Sequence, residues 1–483
     1  MEGEKEGLLK SEDWWSVWIG LIVFILSLGV MGGADLLGWG MKVNMWTDFH
    51  KLLSPVSKHY AVLPGWASLL LTYLAFTAIL SVGVKALGGH LGKFFYGFTV
   101  IFWLTFLCYS LGHQANIAAN NPADMEKFGL SWSLKLTGEA GLIFALLGGL
   151  IIGNFFPGFA ETLKEATRPE WYIKTAIVVL GALVGVKAAG ALGLASAVMF
   201  RGLCAIVEAY LIYWALVYLV ARKYFRFSKE WAAPLASGIS ICGVSAAIAT
   251  GGAIRSRPVV PIMVSSLVVI FAVVELLFLP FLAQALLYRE PMVAGAWMGL
   301  AVKTDGAAVA SGQIVDSLIR AKALAVDGIA WESDWIMNTA ATVKIFIDVF
   351  IGVWAFVLAW IWCAKIECLP GEKIGAGEIW RRFPKFVIGY VLTFAIMLTL
   401  LLNLPSLTDS AKIATGEANV FRSYFFALTF FSIGLVSNFK KLWEEGIGRL
   451  AAVYVISLFG FIIWIGLAIS WLFFHGVKPP VIS

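Results

Sequence analysis

Charge is scarce in this sequence. Asp, Glu, Lys and Arg make up 14% of its 483 residues, against about 25% in water-soluble domains, which excludes an ordinary soluble fold. Apolar residues supply 60% and the mean hydropathy is +0.85. A single compact core stops growing at about 250–300 residues, so a chain this long and apolar needs lipid to cover its surface. Cysteine is also scarce. Cys108, Cys204, Cys242, Cys363 and Cys368 fall mostly inside apolar runs, at spacings that match no zinc, haem or disulfide pattern, so no metal and no cofactor is expected. Phosphate loop, dinucleotide fingerprint, His-Glu-x-x-His and Gly-x-Ser-x-Gly are missing, which argues against an enzyme. The formal net charge is +6. Because Lys and Arg lie in short connections rather than in one stripe, nucleic acid is not an expected partner.

What the sequence does contain is a succession of apolar runs long enough to cross a bilayer. They fall near 14–37, 61–86, 91–115, 137–156, 172–192, 196–220, 234–254, 258–287, 291–314, 338–363, 384–404, 420–437 and 449–474. Unpaired backbone groups are not tolerated in hydrocarbon, and the runs show no sustained two-residue alternation, so helices are favoured over a barrel. The expected fold class is therefore an all-α polytopic membrane protein with about thirteen membrane-crossing helices. Residues 1–136 form a cytoplasmic tail and three additional helices, 137–290 the first half of a transporter core, and 291–483 its second, inverted half. Splitting the last ten spans five and five forces the second half to run upside down through the membrane, the inverted-repeat arrangement of many transporters. The basic clusters Arg222, Lys223, Arg226, Lys229 and Lys365, Lys373, Arg381, Arg382, Lys385 set the expected orientation. The N-terminus is inside and the C-terminus outside, in the cell (inner) membrane, with a homo-oligomer compatible with the pattern.

The polar residues inside those runs carry the chemistry. Ser237 to Gly252 gathers small residues, hydroxyls and four glycines at membrane depth. Glycine lets a backbone leave helical geometry, and an interrupted helix offers free N–H groups to an anion, so a break is expected around Ser240, Cys242, Gly243, Val244 and Ser245. Simple small-residue helix packing is the alternative. On an unbroken helix Lys303 and Asp305 would point to nearly opposite sides; an interruption at Thr304 to Gly306 turns both toward one wet cavity. A charge at the bilayer centre costs about 2.5–3.5 kcal/mol, so Lys303 and Asp305 are candidates for substrate binding and coupling, or else for an internal pair. Lys344 and Asp348, four residues apart, share a helix face and either neutralise each other or help to hold an anion. Glu208 and Glu275, deep among apolar neighbours, are candidates for proton carriage or satisfied structural acids. A second interrupted helix is expected over Phe421 to Lys440, bringing Ser432 and Gly434 to the substrate, so that two interrupted helices cross at the midplane.

At these residues the sequence resembles the YeiH-type family assigned as sulfate exporters. Gly141 to Asn154 is similar to the family's opening core helix, Ser240 to Thr250 to its most distinctive stretch, and Gly299 to Gly312 to its next signature helix. Thr342-Val343-Lys344 and Phe426 to Leu435 resemble its later motifs. The resemblance covers about 138–475 and implies a bile-acid-symporter-like inverted-repeat transporter of sulfate or a related sulfur anion. The chain departs from the pattern in its additional N-terminal spans. Lys303-Thr304 followed by Asp305 replaces a His-Glu pair, and Ile347 stands where an Arg is expected. The expected function is secondary active transport of a small anion by alternating access, coupled to H+ or Na+. The alternative is a cation/proton antiporter that uses Asp305 and Lys303.

Overall fold

A peptide group buried in hydrocarbon has no water to bond, and the long apolar runs satisfy theirs internally as helices. The computed structural model describes residues 8–119, 122–134, 138, 140–257, 259–365, 384–438 and 448–482. Its longer helices, in chain order, are α1 (Glu12–Ser27), α2 (Gly65–Ala86), α3 (Leu91–Gly112), α4 (Ala140–Phe155), α5 (Pro169–Gly190) and α6 (Leu192–Tyr224). They continue with α7 (Lys229–Ser240), α8 (Val244–Ala253), α9 (Val259–Leu287), α10 (Pro291–Ala301), α11 (Asp305–Asp327) and α12 (Trp335–Val349). The last are α13 (Ile351–Lys365), α14 (Phe386–Asn403), α15 (Thr408–Val436) and α16 (Gly448–Phe474). A short antiparallel pair, β1 (Met41–Val43) with β2 (Leu53–Pro55), aligns Met41 with Pro55 in the connection before α2. Ser11 starts α1 by accepting the Trp14 N–H, and Glu12 and Asp13 complement the helix dipole in its first turn.

Among the described residues, ten helices are long and apolar enough to cross a membrane. The count is eleven if Ala140–Phe155 and Pro157–Ala166, bent by 117°, form one span. The expected spans at 234–254 and 291–314 are each split into two shorter helices, α7 with α8 and α10 with α11.

The residues group into two compact units. One is Met1–Ala195 with Lys385–Val436; the other is Ser196–Pro384 with Ser437–Ser483. In the first, α5 is buried along most of its length, with α1, α14 and α15 packed on it. Thr393 of α14 donates to the Val178 carbonyl of α5 at 2.8 Å. In the second, α10, α11 and α12 pack on one another, and α10 also lies against α16.

Of the interrupted helix expected over Phe421 to Lys440, the part from Phe421 to Val436 is continuous, and Ser437 and Asn438 after it are non-helical. Helix α15 runs unbroken through Val436, and the remainder of that stretch from Phe439 lies outside the described residues. Its small residues serve packing instead. A Cβ on Gly434 would stand 2.2 Å from the Leu146 carbonyl of α4, and one on Gly149 would stand 2.1 Å from the Phe431 carbonyl. These backbones touch because neither helix has a side chain there. Thr429 returns its hydroxyl to the Phe425 carbonyl at 2.8 Å and leaves the helical ladder intact. Ser432 and Gly434 therefore belong to a continuous, tightly packed helix of the first unit rather than to a break.

Candidate functional site

Both remaining interruptions lie in the second unit. Helix α7 ends at Ser240, Ile241 leaves helical geometry at φ −106°, ψ −91°, and Gly243 adopts φ +67°, ψ −102° before α8 begins at Val244. That conformation is one that residues with a Cβ rarely adopt, and space also demands glycine. A Cβ there would lie 2.8 Å from Val268 Cγ1, 3.2 Å from the Lys303 carbonyl and 3.2 Å from Thr304 Cγ2. In the second interruption α10 ends at Ala301 and Val302 is extended. Thr304 is the N-cap of α11, its hydroxyl accepting the Ala307 N–H at 3.2 Å. The break thus spans 302–304 instead of the expected 304–306, because capping by Thr304 places Asp305 and Gly306 in the first helical turn. The same contacts at Gly243 show that the two breaks abut.

Helix α12 is drawn against them by two glycines of α10. A Cβ on Gly295 would be 2.4 Å from the Ile336 carbonyl, and one on Gly299 would be 2.7 Å from the Ala340 carbonyl. This close approach carries Lys344 to the breaks. Its ammonium donates to the Ile241 carbonyl at 2.6 Å and reaches the Lys303 carbonyl at 3.5 Å, one acceptor from each interruption. Asp305 Oδ1 is 3.9 Å away. The ion pair therefore joins Lys344 of α12 to Asp305 of α11, where the sequence suggested a Lys344–Asp348 or a Lys303–Asp305 partnership. Asp348 enters through a different grouping, its carboxylate lying with Asp305 and the Cys242 thiol, ligand atoms all within 4.8 Å of one another.

Lys303, whose carbonyl Lys344 reaches, makes a set of contacts of its own. Its backbone N–H donates to Glu275 Oε2 at 3.0 Å, its ammonium bonds the Leu300 carbonyl, and it lies 4.3 Å from the centre of the Tyr213 ring. A cation over an aromatic face keeps part of its stabilisation without water. Glu208 and Glu275 are the acids that act electrostatically on it. Glu208 is buried in the π-helical turn Glu208–Tyr213 of α6. Lys303, Lys344, Asp305, Asp348, Glu208 and Glu275 are all almost fully buried in one unit, two lysines against four acids. Ser240 is buried with no hydrogen-bond partner for its hydroxyl among the described residues, while Val244 and Ser245 are half-buried in the first turn of α8.

Sequence reasoning missed two tyrosines. Tyr454 donates to Glu275 Oε1 at 2.5 Å, so that this one carboxylate joins α16 to the end of α10. Tyr213 donates to the Ile462 carbonyl at 2.7 Å, inside the π-helical turn Leu458–Ile462. The usable signal was a tyrosine in an apolar span, since a buried phenol needs a partner. Tyr454→Phe should lower stability by about 1–3 kcal/mol, because it removes a bond to a buried carboxylate. Denaturant unfolding of the purified protein checks this, and an unchanged midpoint would show that the hydroxyl does not hold Glu275.

The profile of the family described as Conserved hypothetical protein 698 matches residues 130–469. A UPF0324 membrane protein of Nitrosomonas europaea is 44% identical over 481 residues, which is 99% of this chain and 98% of that protein. The chain belongs to the UPF0324 membrane protein family. An uncharacterized protein of Archaeoglobus fulgidus is 54% identical over 163 residues, 30% of this chain and 87% of the relative. A UPF0324 membrane protein of Nitratidesulfovibrio vulgaris is 29% identical over 455 residues, covering 91% of this chain and 70% of its own length. No solved structure matches the chain. Every charged residue of the site, from Glu208 to Asp348, lies inside the stretch matched by the Conserved hypothetical protein 698 profile, as does Tyr454.

Proposed function

We propose that this UPF0324 membrane protein is a secondary active transporter of a small anion, of sulfate, sulfite or organosulfonate type, working by alternating access with H+ or Na+ as coupling ion. The observation that carries the reading is the meeting of two interrupted helices at Gly243 and Lys303-Thr304, with the buried Lys344 ammonium bonded to both. Irregular backbone and ionisable side chains persist inside a membrane protein where they line a path for a polar substrate. Lys303 and Lys344 supply positive charge to the anion, the Ser240, Ser245 and Thr304 hydroxyls and the Cys242 thiol supply polar side chains, and Gly243 and Val244 supply backbone at the break. Asp305, with Asp348, Glu208 and Glu275, ties cargo to the coupling ion. No covalent step is involved. In this reading the N-terminus faces the cytoplasm and the C-terminus the outside of the cell membrane.

Gradient-driven flux of radiolabelled sulfate, sulfite or a sulfonate into proteoliposomes is the expected result, abolished by Lys303→Ala. Absence of flux for every anion, with Lys303→Ala behaving like the parent, would reject it. One observation favours a second reading, the cation/proton antiporter. Two carbonyls and a carboxylate, all acceptors, lie against Lys344 Nζ. Sodium-driven proton movement that disappears in Asp305→Asn, without anion flux, would establish that alternative.

A further inference from the structure

Cys242, Asp305 and Asp348 come from three elements, the first break, the first turn of α11 and the last turn of α12. Their sulfur and carboxylate oxygens nevertheless lie within 4.8 Å of one another, and all three residues are buried. A second observation says which sign of charge this place accepts. The Lys344 ammonium is lodged beside the group, on the carbonyls of Ile241 and Lys303 and 3.9 Å from Asp305. A helix end leaves carbonyl oxygens without intrahelical partners, and here both breaks turn one toward a cation.

From this geometry we propose that Cys242, Asp305 and Asp348 form a binding site for a borderline-soft divalent cation of the zinc or cadmium class, which Lys344 fills with its own ammonium when the ion is absent. The donor set decides the class. Magnesium and calcium take oxygen-only shells, whereas one thiolate with two carboxylates suits zinc or cadmium. On binding, the Cys242 proton leaves to solvent, the sulfur and the two carboxylates close on the ion, and the ammonium moves off Asp305 with its charge retained. The three ligands exceed a divalent ion by one negative charge, which the displaced ammonium, still tethered to α12, neutralises. Metal binding stands on this coordination set alone. Only its consequence rests on the anion reading: an ammonium released from Asp305 becomes available to an anion, so metal and anion tighten each other's binding.

The test uses the full-length chain purified with chelator and then titrated with Cd2+ or Zn2+, following thermal stability and the thiolate-to-cadmium absorbance. Expected are saturable stabilisation, an absorbance band that vanishes in Cys242→Ser, and binding weakened about tenfold or more in Asp305→Asn and Asp348→Asn. Lys344→Met should bind cadmium more tightly than the parent, because its competitor is gone. Binding that survives Cys242→Ser, equal stabilisation by Mg2+ or Na+, or no tightening in Lys344→Met overturns the proposal. Should a variant fail to fold, the parent protein still decides. Cd2+ must protect Cys242 from maleimide, read at that residue by mass spectrometry, and unprotected labelling overturns the site. Intact metal binding with no anion flux would sink the transport reading and leave this one standing.

Discussion

Lys344→Met, studied in chelator, should unfold about 3–5 kcal/mol more easily than the parent and should carry no anion flux. Removing one member of a buried charged set is far more damaging than the set's own contribution to stability, because the remaining charges stay in a low-dielectric interior without compensation. Here the loss removes the ammonium 3.9 Å from Asp305, which lies close to Asp348, and frees the Ile241 carbonyl that accepts from Lys344 at 2.6 Å. Arg would not substitute, since its planar fork is wider than the single ammonium that the two carbonyls hold. Added Cd2+ should restore most of the stability of Lys344→Met but none of its flux, which separates the electrostatic loss from the loss of the cation proposed to hold the anion. Denaturant unfolding with and without cadmium, alongside a flux measurement, makes the comparison. A midpoint equal to the parent's would mean that Lys344 is peripheral to the breaks.

How far the sequence revealed this site depends on the range of the interaction concerned. Spans and breaks are local matters. Apolar length announces the helices, and the Gly243 break follows from glycines and hydroxyls within a few residues of one another. The second break lies two residues before the expected 304–306, because the sequence does not show that the Thr304 hydroxyl accepts the Ala307 N–H and so starts the helix at Asp305. Partners across helices were not legible. Lys344 and Asp348 are four residues apart, which suggests either a local pair or an anion-holding lysine, and does not reveal that the close packing of Gly295 and Gly299 on α12 brings Lys344 to Asp305. The same tertiary contact gathers Cys242 with two aspartates, a grouping that spacing along the chain does not encode. Gly434 shows the opposite failure. Glycine and serine in α15 resembled those of a break, whereas the unbroken helix uses its glycine for contact with α4. Composition alone does not separate a helix that must bend from one that must touch.

Gly243→Ala tests whether the first break depends on backbone shape or merely on room. At φ +67°, ψ −102° a Cβ meets its own backbone, a strain of about 1–3 kcal/mol, and the new methyl would also press on Val268, Lys303 and Thr304. Crowding of a packed interior adds about 1–3 kcal/mol, so the variant should be among the most destabilised single substitutions in the chain, with flux lost as α8 shifts. The two contributions separate in a double variant. Val268→Ala removes the Cγ1 atom that would stand 2.8 Å from the added methyl, but leaves the dihedral angle and the 3.2 Å contacts with Lys303 and Thr304 unchanged. If strain dominates, Gly243→Ala/Val268→Ala recovers little, and the coupling between the substitutions is small. Gly299→Ala supplies the reference, since its methyl would crowd the Ala340 carbonyl at 2.7 Å in an ordinary helix with no positive φ. A Gly243→Ala protein no less stable than Gly299→Ala, and still transporting, would show that the backbone at the break relaxes without consequence, and the interruption would then be packing geometry rather than part of the substrate path.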